Sequence, residues 1–412
     1  MNPLRRFKSS LLFAILALAI ASSPLSAAVI GGSLLDRLAD GPVGQPIEVV
    51  VSFDDSYAGD PQAIVNALAP LGVEGLAFQA LPMAGVVATP SQALAIADLD
   101  GVESVWLNEA LEYDNGDARA LTGVDRMQSD PELRNAMGLP YSGKGIGVVV
   151  NDSGVDANHP DLQFGEKVVQ NVAAQTNLNS VDGMLPITYV ENVPDSDIAG
   201  GHGTHVAGTV GGTGAFSGGD HAGVAVGADI IGYGSGAGLF ILDTLGGFDY
   251  ALVNQFRYNI RVVTNSFGSP SDTGTDFDPA HPTNIATKML ADRNVVVVFS
   301  AGNSGSGEDT ITGNFKKAPW IVRVAAANKN GTLADFSSRG KRDGGGTVEI
   351  DGETFTWFDR PTVTAPGVDI VSTQAKTDPT GSADGMLGYT SLSGTSMAAP
   401  HVAGVVALML EA

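Results

Sequence analysis

Gly147-Val148-Val149-Val150-Asn151-Asp152-Ser153-Gly154 is the stretch that decides the fold. A short β-branched run without polar alternation suits a strand buried on both faces, the situation in a parallel sheet covered by helices. Three later runs share the plan and end in small or polar residues. Asp229-Ile230-Ile231 leads into Gly232-Tyr233-Gly234-Ser235-Gly236, and Arg261-Val262-Val263 into Thr264-Asn265-Ser266-Phe267-Gly268. Val295 to Phe299 leads into Ser300-Ala301-Gly302-Asn303. Segments of helical length and pattern, Gly246 to Tyr258 and Thr283 to Asp292, separate them. The expectation is an α/β domain, doubly wound around a mostly parallel sheet, with ligands bound at the carboxyl ends of its strands.

Upstream lies a different pattern. Strand Ile47 to Phe53, helix Pro61 to Leu71, strands Leu76 to Gln79 and Gly85 to Thr89, helix Ser91 to Asp98 and strand Ser104 to Leu107 follow in order. This β-α-β-β-α-β order predicts a small ferredoxin-like α+β unit. A polar stretch, Asp114 to Arg119, comes after it. At the very start, Arg5, Arg6 and Lys8 precede the apolar run Leu11 to Ile20, and Ser26-Ala27-Ala28 supplies small residues. That is the layout of a secretory leader over residues 1–28.

Composition narrows the function. Among 412 residues, 22 Lys and Arg face 45 Asp and Glu, a net charge of −23, which argues against nucleic acid or an anionic membrane as partner. There is no cysteine, which excludes disulfides, thiol catalysis and Cys-ligated zinc. The 53 glycines, well above the usual share of about 7%, point to many tight turns and close backbone approaches.

Three segments carry the chemistry: Asp152-Ser153-Gly154-Val155, His202-Gly203-Thr204-His205-Val206-Ala207-Gly208, and Gly394-Thr395-Ser396-Met397-Ala398-Ala399-Pro400-His401-Val402-Ala403-Gly404. Nucleophilic catalysis needs a hydroxyl, an imidazole to take its proton and a carboxylate to hold the imidazole's tautomer. Asp152, His202 and Ser396 supply one of each. After Ser396 the chain is apolar nearly all round, as in a buried helix. With Ser396 as cap, Pro400 is predicted to fall in the first turn, where backbone N–H groups lack intrahelical partners.

In these segments and their order the chain resembles the subtilases, subtilisin-like serine endopeptidases, over roughly residues 140–412. The resemblance implies Ser396 as nucleophile, His202 as general base and then acid, Asp152 as its orienter, and Asn303 as side-chain donor of the oxyanion hole. It implies a peptide groove between Ser266-Phe267-Gly268 and Gly234-Ser235-Gly236, with Gly313 flooring a primary pocket roomy enough for a large apolar side chain. Residues 29–113 resemble the family's propeptide, which implies a folding template and intramolecular inhibitor. The peptidase domain then covers 114–412, and the chain cuts itself between Tyr113 and Asp114. Proteins or peptides are the implied substrates, with no nucleic acid and no membrane partner once the leader is removed.

The chemistry requires no cofactor. Calcium is common in the family and Asp161 matches a frequent ligand position, yet its usual partner loop is not recognisable, so structural calcium stays unplaced and no metal ligand is assigned. Lys341 to Arg360 is an insertion, and Thr347 to Phe358 alternates like a hairpin around Asp351-Gly352. Family members continue past the nucleophile's helix, so a sequence stopping at residue 412 implies a truncated C-terminal end. A catalytically silent binding module on the same fold is the alternative reading. An esterase elbow, G-x-S-x-G, is not matched.

Overall fold

The computed structural model describes residues 28–40, 45–109, 112–113, 122, 124, 130–198, 200–235, 239–376 and 388–412. The leader expected over 1–28 thus lies outside the described residues except for Ala28. Among those described, no helix is long and apolar enough to cross a membrane.

The first unit contains β1 (Val29–Ile30), α1 (Gly32–Asp40), β2 (Ile47–Phe53), α2 (Pro61–Leu68), β3 (Glu74–Ala77), β4 (Met83–Ala88), α3 (Pro90–Ala97) and β5 (Val102–Leu107). A two-residue strand, β6 (Glu112–Tyr113), follows. Helix α2 starts on Pro61 behind the Asp60 cap, and α3 has a full capping box of Thr89 and Gln92. The order β5-β2-β4-β3, antiparallel throughout, is the predicted ferredoxin-like arrangement. Each edge gains one parallel strand that sequence reading missed, β1 on β5 and β9 (Met184–Pro186) on β3. Neither is long enough to show periodicity.

The second unit carries β7 (Gly147–Asp152), β8 (Val168–Ala173), α4 (His202–Gly211), β10 (Asp229–Gly234), α5 (Ile241–Asn254), β11 (Ile260–Asn265) and β12 (Phe267–Gly268). It continues through α6 (Pro282–Asp292), β13 (Val296–Ser300), β14 (Val322–Ala327), β15 (Gly345–Ile350), β16 (Glu353–Phe358), β17 (Val363–Pro366), β18 (Ile370–Thr373), β19 (Tyr389–Leu392) and α7 (Thr395–Glu411). Seven strands form one parallel sheet in the order β17-β14-β13-β11-β7-β10-β8. Its centre is fully buried, with Val148, Val149 and Val150 at 0% exposure, as the unbroken β-branched run requires. Helices α4 and α7 cover one face, α5 and α6 the other. The insertion forms the predicted hairpin β15–β16, and both turn residues, Asp351 and Gly352, have positive φ.

The outer face of the first unit's sheet packs on α5 and α6, and Val50, Leu76, Phe78, Leu81 and Met83 join the same apolar core as Leu242, Leu245 and Phe248. A buried carboxylate fixes this contact. Asp249, inside α5, accepts the N–H groups of Gln79, Ala80 and Leu81 at 3.1, 2.6 and 2.9 Å and the Tyr189 hydroxyl at 2.5 Å. Burial pushes its carboxyl above the ordinary range, and these donors pull it back.

His281 caps α6, its Nδ1 accepting the Thr283 N–H at 3.2 Å, and its ring lies against Trp106 of the first unit and against Phe315. Burial takes its pKa down from 6.5 to about 3. Between those values the folded chain binds fewer protons than the unfolded one at this site, so stability is held above 6.5 and lost as pH falls toward 3. His281→Asn keeps a capping acceptor but cannot titrate. It is expected to flatten part of the difference between urea denaturation curves taken at about pH 7 and about pH 4. An unchanged difference would mean that His281 does not contribute.

Candidate active site

Strands β7, β10 and β11 end side by side, with Asp152 opposite Gly234 and Asn151 opposite Asn265. The predicted residues gather at this carboxyl edge. Asp152 closes β7, and its Oδ1 lies 2.6 Å from His202 Nδ1, both side chains being buried. The same oxygen accepts the Ser153 N–H at 2.8 Å. Two glycines permit the approach of α4 to β7. A Cβ on Gly203 would sit 2.2 Å from the Gly154 carbonyl oxygen, and one on Gly154, whose φ is +127°, 2.2 Å from that of Ser196.

Ser396 is not a cap but the second residue of α7, whose cap is Gly394. Pro400 therefore stands inside the helix rather than in its first turn, a correction to the sequence expectation. It is four residues past Ser396, so the N–H that would bond the Ser396 carbonyl is missing. The Ser266 hydroxyl replaces it, donating to that carbonyl at 2.8 Å, while Ser396 Oγ donates to the Ser266 carbonyl at 2.9 Å. This reciprocal pair ties the first turn of α7 to the segment leading into β12. Asn303 Oδ1 accepts the Thr395 N–H at 3.0 Å and its hydroxyl at 3.1 Å. An N–H can only donate, so the oxygen is the atom facing Thr395 and the amide nitrogen points away from it.

Strand β6 lies antiparallel on β12, Tyr113 against Phe267 and Glu112 against Gly268. The preceding residues anchor it: the Asn108 side chain and Glu109 carbonyl accept the first N–H groups of α5, from Leu242 and Ile241, at 2.9 and 3.1 Å. Glu109 Oε2 also accepts from Ser271 at 2.9 Å. On the other side, Ser235 N–H donates to the Asp152 carbonyl at 3.0 Å, and a Cβ on Gly234 would meet the Ser196 carbonyl oxygen at 2.8 Å. Gly236 and Asp114 lie outside the described residues. Gly313 has a φ of +110°, and a Cβ there would strike the Phe315 ring at 2.7 Å.

Other titratable groups nearby have structural partners. His205, on the same helix as His202, is within 3.0 Å of the Ile370 carbonyl oxygen, and burial lowers its pKa to about 3, so it stays neutral. Asp161 accepts the Tyr389 hydroxyl at 2.5 Å and the Phe216 N–H at 2.9 Å. Both of its oxygens thus serve protein donors.

Sequence reading missed Asp197. Its carboxylate accepts Gly201 N–H, Thr204 N–H, the Thr204 hydroxyl at 2.6 Å and the Ser153 hydroxyl at 3.1 Å. Ser153 in turn accepts the Gly203 N–H at 2.8 Å. Burial raises the Asp197 pKa and the Thr204 bonds oppose that rise. An acid just ahead of a helix start was the available signal.

Residues 143–412 match the profile described as "Subtilase family", Peptidase S8. The chain belongs to the subtilase family. It is 30% identical over 381 residues to the alkaline protease of Alkalihalobacillus alcalophilus, covering 88% of this chain and 79% of that one. With subtilisin E of Bacillus subtilis it shares 31% identity over 284 residues, 66% of this chain and 57% of the relative. Among solved structures, fervidolysin from Fervidobacterium pennivorans, a keratinolytic enzyme related to subtilisin, superposes with a TM-score of 0.56 at 22% identity. That match covers 93% of this chain and 56% of the other, and supports the fold. This subtilase is a serine endopeptidase.

Asp197→Ala is expected to cost about 2 kcal/mol, the upper range for a lost cap, and to lower turnover with it by loosening Gly203 and His202. Thermal denaturation and peptide hydrolysis measure the two effects. Reduced stability with unchanged turnover would show that Asp197 merely caps the helix.

Proposed function

We propose that the chain is a secreted, self-processing zymogen whose Asp152, His202 and Ser396 hydrolyse peptide bonds through an acyl-enzyme. The observation that carries this reading is the buried 2.6 Å contact between Asp152 Oδ1 and His202 Nδ1. With Nδ1 engaged by the carboxylate, the proton of a neutral imidazole stays there and Nε2 is left as the base.

The Ser396 hydroxyl turns from the Ser266 carbonyl, gives its proton to His202 Nε2, and its oxygen attacks the scissile carbonyl carbon. The oxyanion is met by the Asn303 amide nitrogen and the positive end of α7. As the C–N bond breaks, His202 returns the proton to the departing amine. Water then repeats the sequence on the acyl ester and restores Ser396. These steps run on side chains and water, with no cofactor.

Residues 1–28 are read as the export leader and 29–113 as the inhibitor. The docking of β6 on β12 supports inhibition, because an added strand on this edge occupies the place of a substrate backbone. The segment after Tyr113 is then the site of self-processing.

Ser396→Ala and His202→Ala are each expected to remove nearly all turnover, with Asp152→Asn removing somewhat less, because residues acting as a unit are not additive. Asn303→Ala should cost roughly 10²–10³ in kcat, the magnitude known for such a donor in subtilisin itself. Hydrolysis of a fluorogenic peptide measures all four. Folded Ser396→Ala protein with native turnover would contradict the assignment. Turnover should also fall at acid pH, since protonated His202 cannot accept the hydroxyl proton. His205, already held near 3, does not contribute to that fall.

A further inference from the structure

We propose that the insertion Lys341 to Arg360, with Arg339 just before it, forms a second binding site that takes an acidic segment of the polypeptide substrate; the proposal rests on the protease reading above. A groove of about 1010 Å³ runs between the loop around Glu308 and the base of the β15–β16 hairpin. Arg339, Lys341, Arg342 and Arg360 all line it. They are four of only 22 basic residues in a chain of net charge −23.

The fold does not neutralise these four. Among the described residues, no carboxylate lies within ion-pair distance of any of them. Glu308, Asp343 and Asp359 share the lining, but Asp359 is buried and taken by Lys317 at 2.9 Å. Two exposed acids thus stand against four cations. Arg339 Nε is buried and has no hydrogen-bond partner, which costs free energy until an acceptor reaches it. The Arg360 guanidinium lies 4.8 Å from the centroid of the exposed Phe358 ring, which holds its planar fork ready for a carboxylate. Glycine shapes the base of the hairpin. A Cβ on Gly340 would sit 1.7 Å from the Asp359 carbonyl oxygen, so only glycine lets the two arms meet there. Asp359 N–H donates to the Gly344 carbonyl at 3.0 Å and Gly344 N–H to that of Lys341 at 2.9 Å, closing a turn on which Lys341 and Arg342 are exposed.

Hydrogen bonds join this groove to the loop that carries Asn303. Ser338 N–H donates to the Gly302 carbonyl at 2.8 Å, and the Ser338 hydroxyl accepts the Ser304 N–H at 3.0 Å, one bond on each side of Asn303. Arg339 N–H donates to Thr310 Oγ1 at 2.9 Å, and the Arg339 carbonyl accepts the Thr310 N–H at 2.8 Å. A polypeptide held beside Asn303 therefore reaches the groove with a flanking stretch of its chain. The net charge of the protein repels acidic substrates, but screening limits that field to about 8 Å at physiological salt. Within that range the four cations set the sign of the potential, and a run of Asp or Glu gains charge-assisted hydrogen bonds.

The test gives the matured protein fluorogenic peptides that share one cleaved sequence and carry a flanking run of Glu or of Gln, on the N-terminal or the C-terminal side. In one of the two placements the Glu run is expected to lower KM about tenfold relative to the Gln run at low salt, and less as salt rises. Lys341→Gln/Arg342→Gln, at two exposed positions, should remove most of that ratio. Equal KM for both runs in both placements, or a Glu advantage that survives the double variant, overturns the proposal and leaves the protease reading intact. Fluorescence anisotropy of the labelled Glu-run peptide with Ser396→Ala protein separates the two readings. If no peptide is cleaved, yet the Glu run binds and Lys341→Gln/Arg342→Gln releases it, the protease reading alone fails and the acidic-segment site stands. If the peptide is neither cleaved nor bound, both fail.

Discussion

The arrangement depends on one buried contact, Asp152 Oδ1 to His202 Nδ1, between the end of a central strand and the first residue of a helix. A strand end and a helix start meet this closely only where side chains are absent. Gly154 and Gly203 provide that, since a Cβ on either would collide with backbone at 2.2 Å. Asp197 then ties the helix start down, taking its N–H groups and, through Ser153, the N–H of Gly203. Two carboxylates share the neighbourhood in different roles, Asp152 on the imidazole and Asp197 on the helix. The second protects the geometry of the first.

Ser396, the proposed nucleophile, is fixed by a complementary device. Proline in a helix interior leaves a carbonyl without its usual donor, and at Ser396 that vacancy lets Ser266 lock the turn to the segment leading into β12. In the proposed reaction, the strand that grips the peptide and the residue that attacks it are thereby one unit. The first domain exploits the same edge. Its sheet packs on α5 and α6, Asp249 clamps its β3–β4 turn, and its tail reaches β12 through Asn108 and Glu109 at the start of α5. Packing area and helix-end hydrogen bonds hold the domain, and the tail follows as an added strand.

Much of this was legible in the sequence because its signals are local and periodic. Unbroken β-branched runs predicted the buried parallel strands, and the β-α-β-β-α-β order from Ile47 to Leu107 predicted the first unit, with a helix starting at Pro61. Asp152 and His202 were readable because their motifs are compact. Features that depend on distant partners were not readable. The role of Pro400 needed the Ser266 hydroxyl, from a segment 130 residues away in the chain. That Phe315 fills the Cβ direction of Gly313 could likewise be seen only in the fold. Lys316 and Lys317 are indistinguishable in sequence, and only the fold turns one toward Asp309 and Asp359 and the other toward Thr312.

The central claim is that Ser396 is made nucleophilic by an imidazole whose tautomer Asp152 fixes. Treating the matured protein with a fluorophosphonate and mapping the adduct by peptide mass spectrometry tests this directly, because the reagent reacts with an activated serine rather than an ordinary one. The account predicts a single adduct on Ser396 that forms far more slowly in His202→Ala protein of native fold. An adduct elsewhere, or equally rapid labelling of Ser396 without His202, would contradict it.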